Sequence, residues 1–187
     1  TNITWSAQQH NVTIYVNDSA GNLNSSRISF TIITADTTSP SVTINNPLNQ
    51  IYKTTSFTFN VTTSDSGDFV SNCSYSLNSG ANNFTMTNAS TSPNDWTATN
   101  STVNQGSTTT TFYCRDSNNL LNNTEKVTFF VDSITPSINI TNPGVNNSNT
   151  TDTGLDINFT VNDTNLNQCW YSNDSYTVNR STPCGTN

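Results

Sequence analysis

Two residue types in this 187-residue chain are spaced for chemistry: cysteine, and the asparagine of Asn-x-Ser/Thr. Seventeen asparagines head that triplet with a middle residue other than proline: Asn2, Asn11, Asn17, Asn24, Asn60, Asn72, Asn83, Asn88, Asn100, Asn122, Asn139, Asn146, Asn149, Asn158, Asn162, Asn173 and Asn179. The triplet is the acceptor pattern for N-linked sugar. A chain rich in Asn, Ser and Thr yields many matches by composition alone, and both Asn and Thr serve as plain uncharged strand and turn residues. One feature argues for more than composition. In a strand, residues i and i+2 share a face while i+1 points to the other. Asn11-Val12-Thr13, Asn60-Val61-Thr62, Asn139-Ile140-Thr141 and Asn158-Phe159-Thr160 therefore turn Asn and Thr outward and an apolar residue inward. Sugar on such faces leaves a core undisturbed and blunts sheet edges that otherwise invite pairing.

The four cysteines, Cys73, Cys114, Cys169 and Cys184, lack metal-type CxxC spacing, which favours disulfides and an oxidising exterior. Catalysis has little to stand on. His10 is the single histidine and reads as a solvated residue before a strand; no Gly-x-Ser-x-Gly surrounds a serine for it to activate. The carboxylate pairs Asp65 with Asp68 and Asp152 with Asp156 sit in predicted loops and read as solubilising charges, not as an acid/base couple. No catalytic residue is assigned, and the chain is not expected to be an enzyme. Calcium is the alternative chemistry. Asp36 and Asp132 precede two linkers, and Asp18 and Asp116 occupy equivalent turns. A hard cation wants six to eight oxygens, no Asp-x-Asp-x-Asp loop is present, and Asx-turns account for Asp18 and Asp116. No metal residue is assigned, and no cofactor is expected beyond N-linked glycans. Trp5, Trp96, Trp170, Tyr171 and Tyr176 offer aromatic faces of the kind that bind carbohydrate. Core packing is expected for Trp5 and Trp96, and exposure or a domain contact for Trp170.

Composition narrows the class. Only 9% of residues are charged and the net charge is −7, so polarity comes mainly from Asn, Thr and Ser; globular proteins average about a quarter charged. Five Lys and Arg against twelve Asp and Glu argue against nucleic acid or an anionic membrane as partner. No apolar run reaches the roughly 18 residues that a membrane-spanning helix requires, so no membrane insertion is expected.

The elements that must carry these residues follow from a repeat. Ser39-Pro40-Ser41-Val42-Thr43-Ile44-Asn45-Asn46-Pro47 returns 96 residues later as Thr135-Pro136-Ser137-Ile138-Asn139-Ile140-Thr141-Asn142-Pro143. Proline tolerates only edges and starts of strands, so each copy reads as the first edge strand of a β-domain. Phe57, Phe59 and Val61 alternate in a second strand, answered later by Ile157, Phe159 and Val161. Cys73-Ser74-Tyr75-Ser76 forms a third, answered by Cys169-Trp170-Tyr171-Ser172, again 96 residues on. A loose Asn/Ser/Thr region with Phe84 and Trp96 follows. Phe112 and Cys114, a turn at 116–119, then Val127, Phe129 and Val131 close the domain as a hairpin. The same hairpin opens the chain: Val12, Ile14 and Val16, a turn at 17–22, then Ile28, Phe30 and Ile32. Tyr15-Val16-Asn17-Asp18-Ser19 precedes Tyr113-Cys114-Arg115-Asp116-Ser117 by 98 residues. Cys73 and Cys114 fall on inward positions of one domain. Val16 takes the place of Cys114 in the other, leaving Cys169 to its near neighbour. The expected bridges are Cys73–Cys114 and Cys169–Cys184.

Short alternating strands and regular turn signals predict an all-β fold of antiparallel immunoglobulin-like sandwiches. Residues 39–134 form one complete domain, 1–38 the C-terminal half of another, and 135–187 an N-terminal half. The chain is then expected to be a two-domain window of a longer repeat protein, or a subunit that exchanges strands with copies of itself end to end. The Pro-led opening strand, Cys-x-Tyr-Ser and Tyr15–Asn22 resemble the immunoglobulin-like repeats of large archaeal and bacterial surface proteins. That resemblance implies an extracellular, cell-surface setting: a filament, stalk or envelope layer, or alternatively an adhesin binding carbohydrate or a neighbouring cell. A spacer in a secreted hydrolase is a third reading.

Overall fold

A computed structural model describes residues 3–89, 94–144, 151, 153–154, 156–173 and 175–184. The candidates Asn2, Asn146, Asn149 and Asp152 lie outside the described residues. Where apolar and polar residues alternate, the chain is extended and pleated. Among the described residues there is no helix, and so none long and apolar enough to cross a membrane.

The chain opens with β1 (Gln9–Asn17) and β2 (Leu23–Thr31), an antiparallel hairpin that pairs Val12 with Ile28 and Tyr15 with Ser25. The central stretch carries β3 (Ser41–Asn46), β4 (Ile51–Tyr52), β5 (Phe57–Ser64), β6 (Val70–Ser76), β7 (Phe84–Thr85) and β8 (Thr87–Asn88). It continues with β9 (Asp95–Asn100), β10 (Gly106–Asp116), β11 (Leu121–Asn122) and β12 (Lys126–Val131). One sheet runs β3-β5-β9-β8. The other runs β4-β12-β10-β6-β7, with β11 beside β10. This is the expected sandwich with one departure: β4 pairs parallel to β12, Ile51 opposite Phe130 and Tyr52 opposite Val131. Residues 47–50 carry the chain from the first sheet to the edge of the second. The C-terminal stretch carries β13 (Ser137–Asn142), β14 (Asn158–Asn162), β15 (Cys169–Tyr171) and β16 (Arg180–Thr182), paired two by two.

By contact density the chain divides into two units, and β5, β10 and β12 each continue from one into the other. In the first unit (1–48, 58–99, 109–128), Val42, Phe59, Val61, Cys73, Tyr75, Met86, Trp96, Phe112 and Cys114 are buried. Phe59 of one sheet stacks on Tyr75 of the other, centroids 4.1 Å apart, and Trp96 Nε1 donates to the buried Thr63 Oγ1 at 3.2 Å. A buried indole N–H needs such a partner. In the second unit (49–57, 100–108, 129–187), Phe57, Val103, Phe129 and Val131 are buried, with Tyr52 edge-on to both phenylalanines.

Several local features recur along the chain. The ladder slips between Ile44 and Asn46 in β3, and again between Ile140 and Asn142 in β13, 96 residues later. Asn46-Pro47 and Asn142-Pro143 are both cis. Val61 sits opposite Ile44 and Phe159 opposite Ile140, so the second strand returns at 98 residues, two more than the first. The turns after β1 and β10 also match. Asp18 Oδ1 accepts from Asn22 N at 2.9 Å, and Asp116 Oδ1 from Leu120 N at 2.8 Å. Gly21 N donates to Asp18 O and Asn119 N to Asp116 O. An Asx carboxylate tying backbone N–H groups ahead of it nucleates such a turn.

Candidate functional site

None of the fourteen described sequon asparagines is buried. Asn11, Asn17, Asn24, Asn72, Asn83, Asn139, Asn162, Asn173 and Asn179 are exposed; Asn60, Asn88, Asn100, Asn122 and Asn158 are half-buried. The pleat accounts for this in β5: Asn60 and Thr62 face outward while Phe59 and Val61 fill the core. Asn122 is tied to a neighbouring segment. Its Nδ2, the atom that would bear sugar, donates to Pro40 O at 2.8 Å, and its Oδ1 caps Thr124.

The sulfurs are joined as Cys73–Cys114 and Cys169–Cys184, and no described cysteine is free. Cys73 and Cys114 stand directly opposite each other on β6 and β10, within one sheet. Cys169 opens β15 and Cys184 lies just beyond β16.

His10 is not the solvated residue expected ahead of a strand. It lies inside β1, half-buried, with Trp5 at 4.8 Å and Phe30 at 5.6 Å between ring centroids, and its Nε2 is 2.7 Å from Ser6 O. The apolar surroundings supplied by Trp5 and Phe30 draw the ring in. Trp96 is core, Trp5 is half-buried in this aromatic group, and Trp170, Tyr171 and Tyr176 are exposed.

The β1–β2 hairpin and β13 expose positions whose counterparts between β3 and β12 are buried. Ile14 and Val16 are 69% and 64% exposed; their counterparts 98 residues on, Phe112 and Cys114, are fully buried. Ile138 is 68% exposed, whereas Val42, 96 residues earlier, is 8% exposed. Ile28, Ile140 and Ile157 are exposed likewise.

Of the aspartates, Asp36 and Asp116 come together, and Asp65 joins them. Asp65 is therefore not the free solubilising charge expected of it. Its Oδ2 is buried, and the loop after β5 lies against Asp36: a Cβ at Gly67 would be 2.7 Å from Asp36 Cγ. Asp68 accepts from the Ser117 and Asn118 side chains. Asp132 Oδ2 accepts from Asn165 Nδ2 at 3.2 Å, and Asp18 serves its own turn. Thr38, through its backbone N–H and then its hydroxyl, holds the Asp36 carboxyl below the ordinary carboxylate range. The Asn22 side chain, followed by its backbone, does the same for Asp18.

No protein-family model and no curated protein sequence matches the chain. Among solved structures, the Clostridium thermocellum CbhA fibronectin(III)-like modules are similar at 15% identity, covering 68% of this chain and 64% of that one, with a TM-score of 0.42. An engineered protein is similar at 16% identity, covering 55% of this chain and 22% of that one, with a TM-score of 0.39. The chain thus spans less than two-thirds of the length of either. The sandwich rests on its own strand pairing and core.

Proposed function

We propose that this chain is a structural repeat of an extracellular, N-glycosylated filament, stalk or envelope layer, built from tandem immunoglobulin-like domains. In this reading residues 135–187 of one repeat and residues 1–38 of the next complete a sandwich, by continuous chain or by strand exchange. The observation that carries it is the reversal of burial at equivalent positions: Ile14, Val16 and Ile138 are exposed where Phe112, Cys114 and Val42 are buried. Exposed apolar patches of this kind mark surfaces that pair, and at roughly 25 cal/mol per Å² their burial supplies the driving force for joining ends. Two disulfides suit an oxidising exterior, and outward sequons let sugar solvate a surface with few charges. The chemistry is mechanical, and no residue of this chain is given a catalytic role.

The bridge pattern provides the test. Val16 stands where Cys114 stands in the complete domain, and Cys169 where Cys73 stands. A V16C/C184A variant should link its new thiol to Cys169 of the preceding copy, giving a ladder of multiples on a non-reducing gel. Peptide mapping should find that single linkage. Monomer alone, or linkages scattered among other cysteines, would refute end-to-end completion.

A second reading, an adhesin, is favoured by one observation: Trp170, Tyr171 and Tyr176 are exposed on one C-terminal segment, and aromatic faces suit sugar rings. Retention on a glycan array that is lost in Trp170→Ala would support it.

A further inference from the structure

Asp36 lies in the segment between β2 and β3, Asp65 in the loop after β5, and Asp116 at the end of β10; one carboxylate oxygen from each lies within 4.8 Å of the others. Each carboxylate has one oxygen engaged. Asp36 Oδ1 accepts from Thr38 N and Oγ1, Asp65 Oδ1 from Gly67 N at 3.0 Å, and Asp116 Oδ1 from Leu120 N. The other oxygen of each, Oδ2, is buried and makes no hydrogen bond of ordinary geometry among the described residues; the Asn118 side chain, a minor influence on Asp36, is bonded to Asp68 instead. Asp116 is the telling member, because the whole residue is 1% exposed. A carboxylate oxygen withdrawn from water without a donor costs several kcal/mol unless a cation compensates it. The adjacent cation does not do so: the Arg115 guanidinium is directed to Asn119 O and Oδ1, at 3.0 and 3.1 Å. Space has been kept for the group as well. A Cβ at Gly67 would lie 2.7 Å from Asp36 Cγ and 3.0 Å from its Oδ2.

We infer that Asp36, Asp65 and Asp116 together bind a calcium ion, which fastens the segment between β2 and β3 to the central domain. Oxygens about 2.4 Å from an ion stand at most about 4.8 Å apart, and these three lie within that limit. Three anionic oxygens without nitrogen or sulfur select a hard cation. The smaller magnesium ion demands a near-ideal octahedron and sheds water reluctantly, which suits three carboxylates drawn from separate segments less well than calcium's flexible shell does. Calcium completes its shell of six to eight oxygens with water or carbonyls.

The set recurs in the sequence. Asp132 follows Asp36 by 96 residues, Asp163 follows Asp65 by 98, and Asp18 precedes Asp116 by 98. Asp163 Oδ1 accepts from Asn165 N at 2.7 Å, as Asp65 Oδ1 does from Gly67 N. Joined ends would therefore bring a corresponding trio of aspartates together, with Asp132 Oδ2 and Asp18 Oδ2 exchanging their present donors, Asn165 Nδ2 and Asn22 Nδ2, for the ion. That corollary rests on the end-to-end reading; the first site does not, since all three of its carboxylates lie within one chain.

The test is calorimetric titration of calcium chloride into the chelator-treated, dialysed chain, with thermal melts alongside. The expected result is saturable binding with a dissociation constant of about 10⁻⁴ M or tighter. At about 10 mM calcium, Tm should rise by about 10 °C. D36N and G67A should each weaken binding at least tenfold while the far-ultraviolet spectrum and buried Trp96 fluorescence stay those of the folded chain. D156N, at an exposed residue outside the group, should bind as the parent does. D36N is preferred to D116N because Asp116 is buried and its replacement endangers folding. No saturable heat, binding unchanged in both D36N and G67A, or an equal Tm rise with magnesium would overturn the calcium assignment.

Discussion

Replacing Cys73 and Cys114 together by alanine removes a bridge whose partners are 41 residues apart in sequence and almost completely buried. The chain-entropy relation for a closed loop of that length gives about 3.9 kcal/mol at 25 °C, before any packing lost with the sulfurs is counted. For a domain of about 100 residues, each kcal/mol moves Tm by roughly 4–8 °C, so the double variant should melt roughly 15–30 °C lower. Trp96 is the natural probe because it is buried in the same unit and bonded to Thr63. Trp5 and Trp170 are first replaced by phenylalanine so that Trp96 alone reports. The matching experiment removes Cys169 and Cys184, which lie 15 residues apart in the other unit. That change should leave the Trp96 transition within about 2 °C of its starting point, because sites in separate units with no shared partners add independently. A fall of less than about 5 °C on losing Cys73 and Cys114 would show that β6 and β10 are held by their ladder and core alone. An equal fall for both pairs would show that the two units unfold as one.

Gly80 has φ of +92°, and a Cβ there would lie 2.7 Å from Tyr113 Oη, so Gly80→Ala should lower stability in urea by about 1–2 kcal/mol from backbone strain, with steric cost in addition. Tyr113→Phe in the same chain should recover only the steric part. Gly21→Ala, at φ of +85° with open space around it, should show the backbone part alone. Asp18 is held below the ordinary carboxylate value near 3.8, so its turn is stabilised at any pH above that value and weakens as pH falls through the lowered one. Amide resonances of Ala20 and Asn22, both bonded to Asp18 Oδ1, should titrate with a midpoint below 3.8; a midpoint at or above it would exclude the proposed capping.

What could be read from the sequence follows from where the information is local. β5 and β10 were legible because one face of each is core: Phe57, Phe59, Val61 and Phe112, Cys114 fall at every second residue. The cysteine partners were legible because a repeat supplies a comparison, Val16 against Cys114. β9 was not foreseen. Apart from Trp96 its residues are Asp, Thr, Ala and Asn, and Trp96 alone cannot set a period. β4 has two residues, and its place beside β12 is decided by the crossing of 47–50, which no alternation encodes.

The carboxylate group shows the same limit at the level of chemistry. In the sequence Asp36 and Asp116 suggest calcium because each stands at a recurring position, whereas Asp65 reads as a surface charge. The three lie 29 and 51 residues apart, and nothing in a local window relates them. A loop that binds calcium by itself advertises its ligands as closely spaced aspartates. A site assembled from the ends of separate strands has no such signature, because the sheets and not the loop provide the convergence. The signal that existed was the second copy. Asp163 stands in the loop after β14 as Asp65 stands in the loop after β5, and two loops of different sequence retain an aspartate there. An acidic residue kept at the same offset in both halves of a repeat, beside others kept likewise, is a geometric statement once the strands are aligned by their pairing. That alignment required the 98-residue register of β14, which the bulge at Ile140 and Asn142 reveals. The sequence offset of 96 alone would have matched Asp65 to Val161 and missed it.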